Sequence, residues 1–288
     1  MSGKAVDALV ETAWLADHLS DPDIRILDAS YFVPGGVEPA RQQYLEGHIP
    51  GAIFFDINDV AEPGGPKEHT FPSASVFSRK VGALGINNLQ HIIVYDHLGG
   101  TCAAARVWFM FCAFGHERVS ILNGGRTKWA AEGRPMNSTL PQFAAVEFRP
   151  LALPRLKTKG EMRTNIDAPR FQTLDARGQG RFEGTEPEPR PGLRSGHIPG
   201  SMNLPFLQLI DADTKVWKPL ESIRQRFAAA GVDLSRPLTT TCGSGVSACA
   251  LAFGAHLIGK TDVALYDGSW IDWGGDANVP VAKGSSRS

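Results

Sequence analysis

At 288 residues the chain is long enough for two domains that each bury a core of their own. Its 29 basic and 30 acidic residues nearly cancel, which argues against a nucleic-acid or membrane-surface partner, since either needs a strong positive field. With 42% hydrophobic and 20% charged residues, and no apolar run long enough to span a bilayer, the composition is that of a soluble globular protein.

Taken in order, the first 19 residues read as an amphipathic helix, because they lack the uninterrupted apolar stretch and small-residue cleavage pattern of a signal peptide. In the first half, residues 24–29, 52–55, 91–95 and 119–122 read as strands, with helical patterns at 73–84 and 102–114. The segment 141–158 contains Pro150 and Pro154, has little periodicity, and reads as a linker. In the second half, residues 172–175, 201–204, 238–241 and 263–266 read as strands, and 221–230 and 247–257 as helices. Strands apolar on both faces, separated by helices, imply an α/β protein whose sheets are mostly parallel and flanked by helices. The expected division is an N-terminal domain over 1–140, the linker, a C-terminal domain over 159–280, and a small polar tail, 281–288, read as disordered.

The two halves repeat each other. Leu27-Asp28-Ala29 returns as Leu174-Asp175-Ala176, and Gly47-His48-Ile49-Pro50-Gly51 as Gly196-His197-Ile198-Pro199-Gly200. The run ending at Asp96 answers the run ending at Cys242, and Gly124 with Trp129 answers Gly268 with Trp273. Four matches in one order, at offsets of 144 to 149, indicate a duplicated domain, since the period is far too long for a solenoid. His48 and His197 recur in both copies, so they are read as turn-ordering residues, and the tryptophans as packing residues.

The copies differ at one chemically decisive position. Cys242 follows the β-branched run Thr239-Thr240-Thr241 and precedes Gly243-Ser244-Gly245-Val246-Ser247, after which an apolar helix begins. Gly243 and Gly245 permit the backbone to curl so that amides face the sulfur, and Ser247 is placed to cap the helix. A cysteine there is expected to be a reactive thiolate, and the carboxyl ends of parallel strands are where such sheets gather their chemistry. The first copy has Asp96 instead, which cannot act as a sulfur nucleophile, so that domain is expected to be inactive. The other cysteines are Cys102, Cys112 and Cys249. The four show neither CxxC pairing nor metal-ligand spacing, which fits a reducing cytoplasm and indicates no metal or dissolved cofactor.

With the duplicated Gly-His-Ile-Pro-Gly segments, the Cys242 loop and the glycine–tryptophan elements, the sequence resembles the two-domain rhodanese-like sulfurtransferases over essentially its whole length. The loop is similar to the CGSGVT loop of the 3-mercaptopyruvate branch, with Ser247 in place of threonine, whereas the thiosulfate branch carries basic residues there. The segment from Gly180 to Arg190 also resembles the mercaptopyruvate branch, and the resemblance assigns Arg181 and Arg190 to the substrate. It implies a covalent cycle in which Cys242 takes sulfur from 3-mercaptopyruvate as a persulfide. The loop amides from Gly243 to Ser247, Val246 included, then stabilise the outer sulfur. An acceptor thiol such as thioredoxin, a small thiol, or cyanide removes it, and pyruvate is released. The resemblance further suggests Ser244 with His69 and Asp56 or Asp59 as an assisting set, although Asn58 stands where the family's acid is expected. The enzyme is expected to act as a monomer.

Three other readings are open to such a chain. The nearest is a thiosulfate:cyanide sulfurtransferase. A cysteine phosphatase or arsenate reductase would need arginine six positions after the nucleophile, where this chain has Ala248. A non-catalytic binding module is disfavoured by the intact loop.

Overall fold

The computed structural model describes residues 6–32, 40–153 and 155–285. The chain forms two compact units, one of Met1–Pro154 with Ile210–Trp217 and one of Arg155–Leu209 with Lys218–Ser288.

In the first unit, β1 (Leu9–Val10), α1 (Thr12–Asp17), β2 (Ile24–Asp28), α2 (Ala40–Glu46), β3 (Ile53–Phe54) and α3 (Ala74–Ala83) lead into β4 (His91–Tyr95). After β4 come α4 (Ala103–Ala113), β5 (Val119–Leu122) and α5 (Gly125–Ala131). The sheet runs in the order β1-β5-β4-β2-β3, with every pairing parallel. All five β4 residues are buried, as expected of a central strand covered on both faces. The N-terminal helix is shorter than its sequence pattern predicts. Leu9 and Val10 instead pair with Ile121 and Leu122, satisfying the free edge of β5, and the helix begins only at Thr12. Residues 1–5 of the expected helix lie outside the described residues.

The stretch after residue 140 has no regular structure but packs on the first unit. Val146 N–H donates to Gly82 O and Leu151 N–H to Phe114 O, while Phe148, 1% exposed, meets Phe77 and Phe111 edge-on. Residues 210–217 also belong to this unit. Trp217 donates from its backbone to Asn123 Oδ1 at 2.9 Å and from its indole to Gly99 O at 2.9 Å.

The second unit repeats the pattern with α6 (Lys159–Asp167), β6 (Gln172–Asp175), α7 (Gln179–Glu183), β7 (Met202–Asn203), α8 (Leu220–Ala229) and β8 (Leu238–Thr241), then α9 (Ala248–Leu257), β9 (Ala264–Leu265) and α10 (Ser269–Gly274). Its sheet is β7-β6-β8-β9, again parallel throughout, the same order as β3-β2-β4-β5. A single parallel bridge between Leu156 and Leu265 stands where β1 does in the first unit. Helix α6 starts with a complete capping box between Thr158 and Glu161. The expected tail is tied down: Ala282 and His197 exchange backbone hydrogen bonds and Gly284 N–H donates to Glu183 O, while residues 286–288 lie outside the described residues.

The repeated histidines do the same work in both units. His48 stacks on Tyr44 and bonds Tyr44 O, and His197 stacks on Phe182 at 3.8 Å and bonds Phe182 O. Each ring thereby ties the Gly-His-Ile-Pro-Gly turn to the preceding helix. Trp129 and Trp273 likewise each donate to the carbonyl of a proline, Pro135 and Pro280.

Candidate active site

Strand β8 delivers Cys242 at its carboxyl end, beside β6, which ends at Asp175. Cys242 is 2% exposed, and the Gly245 amide donates to its Sγ at 3.1 Å. Gly245 has φ +87°, a left-handed conformation that turns this amide back toward the sulfur and suits glycine. Two backbone bonds fasten the start of the loop to α10, from Trp270 N–H to Cys242 O and from Ile271 N–H to Gly243 O.

Ser269 completes this attachment. It adopts φ +53° although it is not glycine, and its buried hydroxyl accepts the Cys242 N–H at 3.2 Å while donating to Tyr266 O at 2.9 Å. The equivalent residue of the first unit is Gly125, with φ +54°. Sequence comparison of the halves aligns the two residues, and the serine in place of glycine was the visible signal of an added role.

Two expectations for the loop change. Gly243 is not in the left-handed region. What it provides is room, since a Cβ there would lie 3.1 Å from Arg181 Nη2. Ser247 precedes α9 but has helical torsions and makes no side-chain cap bond. The first turn is wound tightly, with Cys249 and Ala250 N–H bonding the carbonyls of Val246 and Ser247, so backbone carbonyls take the place of the hydroxyl. Ser244 is half-buried beside the nucleophile.

The first unit shows what this loop does when a carboxylate replaces the thiol. Asp96 Oδ1 accepts the amides of Leu98 and Gly100, both at 2.8 Å, and Oδ2 those of Cys102 and Ala104, both at 3.1 Å. The turn between the central strand and its following helix is therefore an amide cradle for an anionic group.

Beside Cys242 lies a chain of charged side chains. Arg177 is bidentate on Asp175, donates from Nη1 to Glu188 Oε1 at 2.8 Å, and lies 4.2 Å over the Trp270 ring. Glu188 in turn holds Arg181 Nη2 at 2.6 Å. Although it lies in a Glu-Pro-Glu-Pro run, the Glu188 side chain is 2% exposed. Its partners come from separate segments, which composition alone does not reveal. Arg190 lies half-buried two residues further along the same loop, and Arg194 is consumed by the carbonyls of Gly274, Val279, Trp273 and Asp276.

The remaining suggested groups lie in the first unit. His69 is not at the surface; it is 1% exposed with Tyr31 against its ring, and its backbone carbonyl accepts Arg106 Nη2. The Asp56 carboxylate accepts Asn58 N–H, and Asp59 pairs with Lys80. Cys249 is buried and donates to Gly245 O at 3.5 Å, whereas burial pushes the Cys112 thiol up to about 12. None of the four cysteines, all among the described residues, is in a disulfide. Among the described residues no group of three or more His, Cys, Asp or Glu side chains is placed to hold a metal ion, and no helix is long and apolar enough to cross a membrane.

Two parallel α/β units, one with a cysteine in the amide-lined turn and the other with an aspartate, define a tandem protein with one sulfur-bearing site. The rhodanese-like domain family matches the chain twice, over residues 11–132 and 158–276, and the chain belongs to it. It is 44% identical over 272 residues to 3-mercaptopyruvate sulfurtransferase from Homo sapiens, a match spanning 92% of this chain and 91% of that one. It is 46% identical over 273 residues to thiosulfate sulfurtransferase from Bos taurus, with the same coverage of 92% and 91%. Among solved structures, SseA from Escherichia coli, described as a 3-mercaptopyruvate sulfotransferase, superposes with a TM-score of 0.82 at 34% identity, covering 92% of this chain and 99% of SseA.

Proposed function

We propose that this chain is a sulfurtransferase that moves sulfur from 3-mercaptopyruvate through a Cys242 persulfide to a thiol acceptor or cyanide. The observation that carries the reading is the Cys242 loop, with the Gly245 amide on the sulfur and Arg181 alongside Gly243. The Cys242 thiolate attacks the donor's thiol sulfur, and the donor's carbon–sulfur bond breaks. Its electron pair passes to the enolate of pyruvate, which is then protonated at carbon. The outer sulfur is left on Cys242. Amides turned toward it stabilise the persulfide anion, as the first unit's turn stabilises the Asp96 carboxylate. The acceptor's thiolate attacks this outer sulfur and returns Cys242 to its starting form.

The donor assignment turns on the charge of the loop, because relatives named for either donor match to nearly the same degree. Gly243 and Ser244 bring no cation to the nucleophile, so the positive groups are the arginines of the 180–190 segment. Planar guanidinium groups suit a carboxylate next to a ketone, while thiosulfate carries its charge close to the attacked sulfur. Arg181 and Arg190 are accordingly assigned to the donor carboxylate, and Ser244 to orienting its sulfur or carbonyl. His69 and Asp56 enter as assisting groups on the family resemblance alone. In this reading residues 159–280, apart from 210–217 that belong to the first unit, form the catalytic domain and 1–140 the inactive one. Four cysteines outside disulfides suit the reducing cytoplasm, and in this reading the enzyme is a monomer with thioredoxin or a small thiol as acceptor.

Side-by-side kinetics with the two donors test the assignment, together with mass spectrometry of the Cys242 peptide after donor addition. A higher kcat/KM for 3-mercaptopyruvate and a gain of one sulfur on that peptide are expected. Preference for thiosulfate, or sulfur appearing on Cys102, would refute it.

A further inference from the structure

We infer that Glu188 is a positioning residue for Arg181, fixing the guanidinium along the Cys242 loop before the donor arrives. The inference rests on the reading of Arg181 as the cation that meets the donor's carboxylate.

Asp175, Arg177, Glu188 and Arg181 form a row of alternating charge. Asp175 Oδ2 accepts Arg177 Nε at 3.0 Å and Nη2 at 2.7 Å, and Arg177 Nη1 reaches Glu188 Oε1 at 2.8 Å. Glu188 then accepts Arg181 Nε at 3.3 Å and Nη2 at 2.6 Å. The first three side chains are 1–2% exposed, and Arg181 is 28% exposed, so the row starts in the sheet and ends at solvent. Its inner end is immobilised further by Gly196 O, which accepts Arg177 Nη2, and by the Trp270 ring.

Charge balance assigns Glu188 to Arg181. Arg177 already has Asp175 as its counter-ion, so the charge of Glu188 remains for Arg181. The Glu188 bonds occupy the Nε and Nη2 edge, which directs the Nη1 donors to a second carboxylate. The guanidinium also skirts Gly243, where a Cβ would come within 3.1 Å of Nη2. An arginine on the short helix α7 would otherwise lose rotamer freedom on meeting the substrate. The buried glutamate removes that loss from the binding step.

A double-mutant cycle tests the inference. Glu188→Ala should lower kcat/KM for 3-mercaptopyruvate about 10- to 100-fold, mostly through KM, as expected for loss of a charge-assisted hydrogen bond. In an Arg181→Ala background the same change should cost less than about twofold, because the residue through which it acts is gone. Equal losses in both backgrounds would show that Glu188 is merely structural and overturn the inference. If Glu188→Ala does not fold, Glu188→Asp replaces it. This variant keeps the charge but withdraws it by one methylene, and its rise in KM should vanish in the Arg181→Ala background. Wild-type kinetics for Glu188→Asp, or an equal effect in both backgrounds, also overturns the inference. An Arg181→Ala enzyme with undiminished kcat/KM marks failure of the underlying reading. An impaired Arg181→Ala enzyme with indifferent or additive Glu188 variants marks failure of the inference alone.

Discussion

Arg181 Nη2 lies 3.1 Å from the point at which a side chain on Gly243 would begin. The guanidinium proposed to meet the donor and the Cys242 loop thus share space that one methyl group would contest. Gly243 has ordinary torsions, so alanine is accommodated by the backbone, and the guanidinium must give by a few tenths of an ångström. Gly243→Ala is expected to fold normally and to raise KM for 3-mercaptopyruvate by about three- to tenfold, in line with the sensitivity of positioned groups to small displacements. Steady-state kinetics and a melting curve check this; an unchanged KM would separate Arg181 from the donor.

Ser269 holds the amide of the nucleophile. Removing its hydroxyl leaves the buried Cys242 N–H without that acceptor, a loss of about 1–3 kcal/mol. Ser269→Ala is therefore expected to lower both the unfolding free energy and kcat. Ser269→Gly loses the same bond but relieves the left-handed strain, and should be about 1 kcal/mol more stable than the alanine variant. Urea unfolding of both variants measures the difference.

Asp96 is the structural counterpart of the nucleophile, and four amides converge on it. Asp96→Ala orphans them all and should destabilise the first unit by more than about 3 kcal/mol, whereas Asp96→Asn, which keeps one acceptor oxygen, should cost less. Hydrogen exchange at Leu98, Gly100, Cys102 and Ala104 reports the change directly; unaltered protection in Asp96→Ala would contradict the cradle.

Acid should loosen the first unit. Burial lowers both His91 and His116 to about 4, from an ordinary value of 6.5. The unfolded chain takes up these protons first, so the associated stability is complete above pH 6.5 and is lost as the pH falls toward 4. Each histidine accounts for on the order of 1–3 kcal/mol. Urea midpoints should fall between pH 7 and 4.5, and the fall should be shallower in His116→Gln. A midpoint independent of pH across that window would contradict the assignment.

The central strands were legible in the sequence because burial on both faces leaves an unbroken apolar or β-branched run, as at 91–95 and 238–241. The two-residue strands β3, β7 and β9 appear in the sequence as longer runs, since flanking residues such as Ala52 and Phe55 are buried although they lie outside the strand itself. Strand β1 was not legible, because Leu9 and Val10 continue the pattern of the helix behind them and only the edge of β5 makes them extended. In the candidate site, the correspondence of Cys242 with Asp96 is legible by aligning the halves, and both turns direct backbone amides at that side chain. Glu188 could not be assigned a role that way, and for Ser269 the alignment shows only that a serine replaces the first unit's Gly125, not which bond it makes. One is buried by a partner eleven residues upstream and the other by a bond across 27 residues, and neither distance leaves a periodic trace.

The first unit takes eight of its residues, Ile210–Trp217, from beyond the start of the second. The repeats thus follow one another in sequence, but the segments that build the two folded units interleave along the chain. During synthesis the turn after β4 and the residues after β5 must wait for Trp217 to reach Gly99 and Asn123. Their closing contacts span 118 and 94 residues and carry the slow loop-closure step that such separations impose on folding. A fragment cut at the family boundary near residue 132 lacks those contacts, so separating the halves at the repeat divides one of the folding units.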